Sequence, residues 1–151
     1  MKRILFICHG NICRSTMAEQ IMKHLVREAG REDEFVIDSA ATSTEEIGNR
    51  IYPPAREELK RRGIDSGHHR ARQLRKEDLR EWDLLIGMDD ANIRNIRQMT
   101  GAAEDDLRIR KLLEYAGSSA SVADPWYTDD FETAYRDIRR GCEALLQSLE
   151  K

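Results

Sequence analysis

Cys8 and Arg14 stand at the two ends of a short loop, Cys-His-Gly-Asn-Ile-Cys-Arg-Ser from Cys8 to Ser15, directly after the apolar run Ile4, Leu5, Phe6, Ile7. A thiol attacks phosphorus as its thiolate, a form that a helix N-terminus and a nearby cation favour. The order of residues supplies both: a buried strand, a cysteine, five residues, an arginine, a serine, then a helical pattern. Successive N–H groups in such a turn make an anion-binding concavity, reinforced by the positive end of the following helix. Gly10 and Asn11 tolerate left-handed backbone angles and are expected to let the loop curl. Arg14 offers a planar fork of donors that matches two phosphate oxygens. Ser15 stands where a hydroxyl can cap the helix or donate to the sulfur. His9, Ile12 and Cys13 complete the turn. The segment reads as a phosphate-binding catalytic loop, supported by its strand-to-helix setting.

Phosphoryl transfer also needs an acid for the leaving group. Asp124-Pro125-Trp126-Tyr127 offers one in a loop before the last helix, with Pro125 stiffening the turn and two aromatics able to flank a ring. A phenol, with an ordinary pKa of about 10, leaves more readily if protonated as its bond to phosphorus breaks. Taken by itself, the tetrapeptide reads more simply as an ordinary Asp-Pro turn with two half-buried aromatics. Thiolate, guanidinium and carboxylate would fill all the chemical roles, so neither metal nor cofactor is expected.

The elements that must position these groups alternate strand and helix. Ala18, Ile21, Met22, Leu25 and Val26 recur at helical spacing, and the polar run 30–34 ends that helix. Phe35, Val36 and Ile37 predict a short second strand leading to Asp38 and Ser39. Residues 40–54 show little periodicity and include Gly48, Pro53 and Pro54, which predicts a long loop, a kind of segment that is often functional. A short helix is expected over 55–62, stopped by Gly63. Leu84, Leu85 and Ile86 predict a third strand, after which Asp89 caps a helix with Ile93 and Ile96 on its inner face. A weaker fourth strand is expected from near Leu107. Phe131, Tyr135, Ile138, Cys142, Leu145 and Leu149 alternate steps of four and three, which puts Cys142 in a core seam. This order predicts an α/β fold: one domain over residues 1–151, with a mainly parallel four-stranded sheet covered by helices on both faces. Ligands of such sheets bind beyond the carboxyl ends of the strands, where Cys8 lies.

The 151 residues suit one domain with its own core. No apolar stretch approaches the roughly 20 residues that cross a bilayer, and Met-Lys-Arg leads straight into a strand, so a cytoplasmic protein without a membrane partner is expected. Three cysteines, none in a Cys-x-x-Cys pair, argue against a disulfide scaffold and against a zinc site. A formal net charge of −3 gives no general attraction for nucleic acid. A monomer is the expected state.

With both motifs in view, the chain resembles the low-molecular-weight protein tyrosine phosphatase family over nearly its whole length. The family's N-terminal loop matches Cys8 to Ser15, and its late Asp-Pro-aromatic-aromatic segment matches Asp124 to Tyr127. Asp38-Ser39-Ala40, Gly63-Ile64, His69 with Ala71-Arg72-Gln73, and Met88-Asp89 followed by Asn92 are similar too. The resemblance implies a phosphoric monoester hydrolase acting on phosphotyrosine in proteins and on aryl phosphates through a phosphocysteine. In that reading Cys8 is the nucleophile, Arg14 binds phosphate, and Asp124 is the general acid and base. It further implies that Asn11, Ser15, Ser39 and His69 hydrogen-bond one another to hold the loop. This chain departs from the family in the pocket wall. His9 follows the nucleophile where an apolar residue is usual, Glu45 stands in the long loop where an aromatic is usual, and Trp126 replaces a common tyrosine.

Three other readings remain to be weighed. An arsenate reductase of this fold needs further cysteines after the third strand, and none occurs between Ile86 and Gly101. An arginine phosphatase tends to carry threonine where this chain has Ile12. A phosphopeptide-binding module would require neither Cys8 nor Asp124. Cys13, five positions after Cys8, also raises the idea that a peroxide-generated sulfenic acid on Cys8 condenses with it into a reversible disulfide.

Overall fold

The apolar run 4–7 forms the middle of strand β1 (Lys2–Cys8), an inner strand of a sheet whose four strands all run parallel in the order β2-β1-β3-β4. The computed structural model describes residues 1–149. β1 pairs on one side with β2 (Phe35–Ala41), Lys2 opposite Phe35 and Cys8 opposite Ala41. On its other side it pairs with β3 (Leu84–Gly87), Ile4 opposite Leu84. β4 (Ile109–Lys111) closes the far edge against β3.

Because successive side chains of a strand point to opposite faces, a run that is apolar throughout must be covered twice. Ile4 and Phe6 join one buried cluster with residues of helices α1 (Arg14–Glu28), α2 (Pro53–Arg61) and α6 (Phe131–Ser148). Leu5 and Ile7 join another with Leu85, Ile109, Trp82 and Ile96, the last from helix α4 (Asp90–Thr100). The expected two-sided α/β sheet is therefore present, with β1 completely buried from Ile4 to Ile7.

Several boundaries differ from those the sequence suggests. β2 continues through Asp38 and Ser39 to Ala41 as seven residues, because its pairing with β1 carries the polar residues along. The irregular stretch is thereby shortened to 42–52. Pro53 and Pro54 open α2 instead of lying in the loop, since a first helical turn needs no N–H from these positions and proline's fixed φ suits it. That helix ends where Gly63 takes φ 75° and its N–H reaches the Lys60 carbonyl. β4 starts at Ile109; Leu107 is exposed outside it. A one-turn helix, α3 (Asp78–Glu81), had no sequence signal of its own. Asp89 caps α4 as expected, its side chain accepting from the Asn92 N–H, and Ile96 is fully buried while Ile93 is partly so.

The closing helix follows its sequence period closely. Phe131, Tyr135, Ile138, Cys142 and Leu145 are buried, and Leu149 packs against them. Gly141 in the same helix lies against Leu112 of a 3-10 turn (Leu112–Ala116); a Cβ there would stand 2.5 Å from Leu112 Cγ. Helix propensity alone would have Gly141→Ala stabilise by up to about 1 kcal/mol, whereas forcing a methyl into a packed site costs about 1–3 kcal/mol. Leu112 is fully buried and has nowhere to go, so packing wins. The expected result is a Tm lowered by about 2–6 °C; a Tm at or above wild type would show that Leu112 relocates freely.

Among the described residues, no helix is long and apolar enough to cross a membrane.

Candidate active site

The chain changes direction at one place in the strand order: β1 leads to a neighbour on one side, β3 to a neighbour on the other. Helices leave these two strands toward opposite faces, which opens a crevice beyond their carboxyl ends. Cys8 ends β1, and Met88 and Asp89 follow β3. The pocket in this crevice holds about 500 Å³ and is lined by the loop from Cys8 to Arg14, by Glu45 and Glu46, by Asp89, Asn92 and Asn95, and by Asp124, Trp126 and Tyr127.

Cys8 is almost fully buried, with its sulfur over the first turn of α1. The Ser15 N–H points to it at 3.4 Å and Ser15 Oγ lies 3.0 Å away. Ser15 thus sits within the first turn, and of the two expected uses of its hydroxyl the contact with sulfur is realised. The N-cap position belongs to Cys13, which gives no side-chain cap, so the leading N–H groups stay available to an anion. Asn11 takes the left-handed conformation at φ 61°. Gly10, expected to share that role, is not among the positive-φ residues; its lack of a side chain instead admits Glu46, whose Cγ would be 3.4 Å from a Cβ.

Asn11 is the hinge of a buried hydrogen-bond chain. Its Nδ2 donates to Ser15 Oγ at 2.8 Å, the same oxygen that accepts from Cys8 Sγ. Its Oδ1 accepts from His69 Nε2 at 2.9 Å and from the Arg72 backbone N–H at 3.2 Å. Ser39 Oγ and His69 Nδ1 both face Glu19 Oε1, at 2.5 and 3.3 Å, and Lys23 Nζ holds Oε2 at 2.6 Å. The four polar residues that the family resemblance linked do come together. Glu19 joins them without having been foreseen: a glutamate within a helical pattern reads as solvated, yet this one is 2% exposed. Its one sequence signal is Lys23, one turn on, which gives a buried carboxylate a cation.

Arg14 is buried and triply held. Its Nη1 donates to the Val122 carbonyl at 2.8 Å, while Nη2 lies 2.9 Å from Asp89 Oδ2 and 3.4 Å from Asp124 Oδ2. Val122 in turn donates its N–H to the Met88 carbonyl, which stitches the segment before Asp124 to the end of β3. Asp124 therefore reaches the pocket from a position 116 residues beyond Cys8. Its Oδ1 accepts from the Trp126 N–H, capping the short helix α5 (Pro125–Thr128), so the Asp-Pro turn and the pocket carboxylate are the same structure. Asp89, read from sequence only as a helix cap, also pairs Arg14.

Trp126 and Tyr127 stand at the mouth, 52% and 85% exposed. Trp126 leans on Tyr52, ring centroids 4.9 Å apart, an aromatic contact absent from the sequence reading. Ile12 lies on the floor beside the sulfur's loop, and His9 and Glu45 meet at the rim, His9 Nε2 to Glu45 Oε2 at 3.1 Å. The three cysteines are free. Burial, then the neighbouring Cys8 and Asp124, push the Cys13 thiol up to about 12. Burial, helped by Glu143 and opposed by Arg139, pushes Cys142 higher still.

Together these features define a doubly wound α/β protein with a cysteine-centred anion loop at its switch point. The chain belongs to the family of low molecular weight phosphotyrosine protein phosphatases, whose family model matches residues 3–151. It is 41% identical to the low molecular weight protein-tyrosine-phosphatase YfkJ of Bacillus subtilis, over 100% of this chain and 97% of that protein. The YfkJ crystal structure superposes with a TM-score of 0.94, covering 99% of this chain and 94% of the other. The low molecular weight phosphotyrosine protein phosphatase of Gallus gallus is 38% identical over 97% of this chain and 95% of its own. A low molecular weight protein tyrosine phosphatase from Streptococcus pyogenes is 37% identical, with a TM-score of 0.89 and coverage of 100% and 95%.

Proposed function

We propose that the protein hydrolyses phosphotyrosine in proteins, and aryl phosphates generally, through a phosphocysteine intermediate formed on Cys8. The phosphate oxygens sit among the N–H groups of the loop from His9 to Ser15, with the Arg14 fork across two of them. Arg14 then exchanges its carboxylate partners for phosphate oxygens. Cys8 Sγ attacks phosphorus, the bond from phosphorus to the tyrosine oxygen breaks, and Asp124 gives its proton to that oxygen. In the second step water attacks phosphorus, Asp124 takes the water's proton, and the P–S bond breaks to return the thiolate and release phosphate. Ser15 donates to the sulfur as it leaves. Asn11, Ser39, His69 and Glu19 keep the loop curled, and Trp126 and Tyr127 flank the ring.

The observation that carries this reading is one pocket in which Cys8 lies over the start of α1 while Arg14 bridges the loop to Asp124. The proposal takes residues 1–151 as one catalytic domain, a cytoplasmic monomer without nucleic-acid, membrane, metal or cofactor partners. A net charge of −3 gives no general attraction for polyanions. The purified protein, in the presence of a chelator, should turn over 4-nitrophenyl phosphate and phosphotyrosyl peptides and leave phosphoserine peptides nearly untouched. Faster turnover of phosphoarginine than of phosphotyrosine, or activity that a chelator removes and a divalent ion restores, would overturn it.

A further inference from the structure

The phosphate loop and the segment 42–52 are joined along one side of the pocket. The Thr42 and Ser43 N–H groups donate to the carbonyls of Cys8 and His9, and the Tyr52 N–H donates to that of Ile12. Between these ties, the side-chain bridge from His9 to Glu45 spans the rim, both groups more than half exposed. The residue after the nucleophile is therefore bound to the loop facing an incoming peptide. Among the described residues that line the pocket, Arg14 is the one cationic side chain apart from His9; Asp89 and Asp124 hold it, and in the proposed mechanism the phosphate takes it over. Glu46 is drawn back by Asn49, whose Nδ2 donates to it at 2.6 Å, and its stem lies over Gly10.

We propose that His9 and Glu45 form a switchable specificity pair: Glu45 selects phosphotyrosines flanked by basic side chains, and protonated His9 competes for the same carboxylate. This rests on the phosphotyrosine reading above and adds to it which sequences are taken. Imidazole is the side chain whose charge ordinarily changes between pH 5 and 8. When His9 carries a proton its cation neutralises Glu45, and a lysine or arginine on the substrate gains little. When it does not, the carboxylate's charge is uncompensated and a basic flank meets it. The other charged or titratable groups facing His9 keep the rim acidic in both states: Glu46 beside Glu45, Asp89 and Asp124 across the pocket around Arg14, with Cys8 below and Tyr127 at the mouth. Exposed charge pairs are weak and screened, so preference should change by about threefold to fivefold at low ionic strength and fade in salt.

The test compares kcat/KM for phosphotyrosyl peptides flanked by lysine or by glutamate, at pH 5.5 and 7.5, with 4-nitrophenyl phosphate as the common reference. The ratio of the two peptides within one protein cancels the enzyme's shared chemistry, and each kcat/KM is expressed on the dianion concentration of its own peptide, because flanking charge shifts the phosphate's second ionisation near pH 6. In wild type the lysine-to-glutamate ratio should rise about threefold to fivefold from pH 5.5 to 7.5, and 0.5 M salt should flatten the rise. His9→Gln should show the high ratio at both pH values, and Glu45→Gln a ratio that does not move with pH. A wild-type ratio independent of pH, a rise that persists in Glu45→Gln, or a low ratio in His9→Gln at pH 5.5 would each overturn the pair. If 4-nitrophenyl phosphate is hydrolysed and the ratios are flat, only this inference falls. If neither ester nor peptide is hydrolysed, the phosphatase reading falls with it.

Discussion

Cys8→Ser should abolish turnover, by on the order of 10⁴-fold or more, while phosphate and vanadate still bind nearly as well. The two halves of this result come from different atoms. The attacking group is one sulfur, and a serine hydroxyl there has no base beside it to remove its proton. In the proposed mechanism the anion cradle is made of backbone N–H groups from His9 to Ser15 and of Arg14, whose guanidinium is held by the Val122 carbonyl whatever occupies position 8. Serine is smaller than cysteine and the Asn11 to Ser15 hydrogen bond does not depend on sulfur, so the loop keeps its curl. Turnover measured with 4-nitrophenyl phosphate and binding measured by calorimetry with phosphate separate the two. Retention of more than a small fraction of the rate would remove Cys8 from the nucleophile's role. Loss of binding along with rate would instead make the sulfur part of the loop's architecture.

Asp124→Asn should slow phosphotyrosine by about 100-fold to 10,000-fold, the usual contribution of a positioned general acid. A phosphate ester with a more acidic phenol, such as 4-nitrophenyl phosphate, should lose far less in its first step, because its oxygen departs without a proton. Asparagine is the informative replacement. It keeps an acceptor for the Trp126 N–H and so preserves the cap of α5, whereas alanine would remove that cap, at a cost of about 1 kcal/mol, and mix stability with chemistry. Single-turnover rates on the two esters give the comparison. Equal losses would mean that Asp124 serves to orient Arg14, 3.4 Å away, rather than to move a proton.

What was legible in the sequence was what is local. The loop from Cys8 to Ser15 stands out because its thiol, its turn-forming Asn11 and its guanidinium all lie within eight residues, as the proposed grip on one phosphate needs. The closing helix is equally plain, since its buried side follows from spacing alone. Asp124 is harder. Its tetrapeptide fits a common turn, and its place in the pocket depends on Val122 bonding to Met88 and to Arg14, contacts between segments far apart in the chain. The end of β2 was hidden because Asp38 and Ser39 are polar, and the strand is sustained there by partners on β1 instead of by its own composition. Pro53 and Pro54 misled because proline breaks a helix inside but begins one well. Glu19 was invisible for the opposite reason: nothing near it in sequence, apart from Lys23, says that Ser39 and His69 will converge on it.

The register of β1 carries a consequence for how the protein becomes active. The strand that presents Cys8 is held by partners 33 and 80 residues further along, Phe35 against Lys2 and Leu84 against Ile4. Closing such distant contacts is slow, and little of it can be gained piecemeal. Ser39, which shares the Glu19 carboxylate with His69, arrives on the first of those partners, and Asp89, which pairs Arg14, follows the second. The residues of the loop are contiguous in the chain, yet that loop has no reason to keep its shape until β2 and β3, from further along the chain, have docked on either side of β1. Catalytic competence is therefore a late event in assembly, and a thiol suited to attack phosphate is built only into a sheet that is already complete.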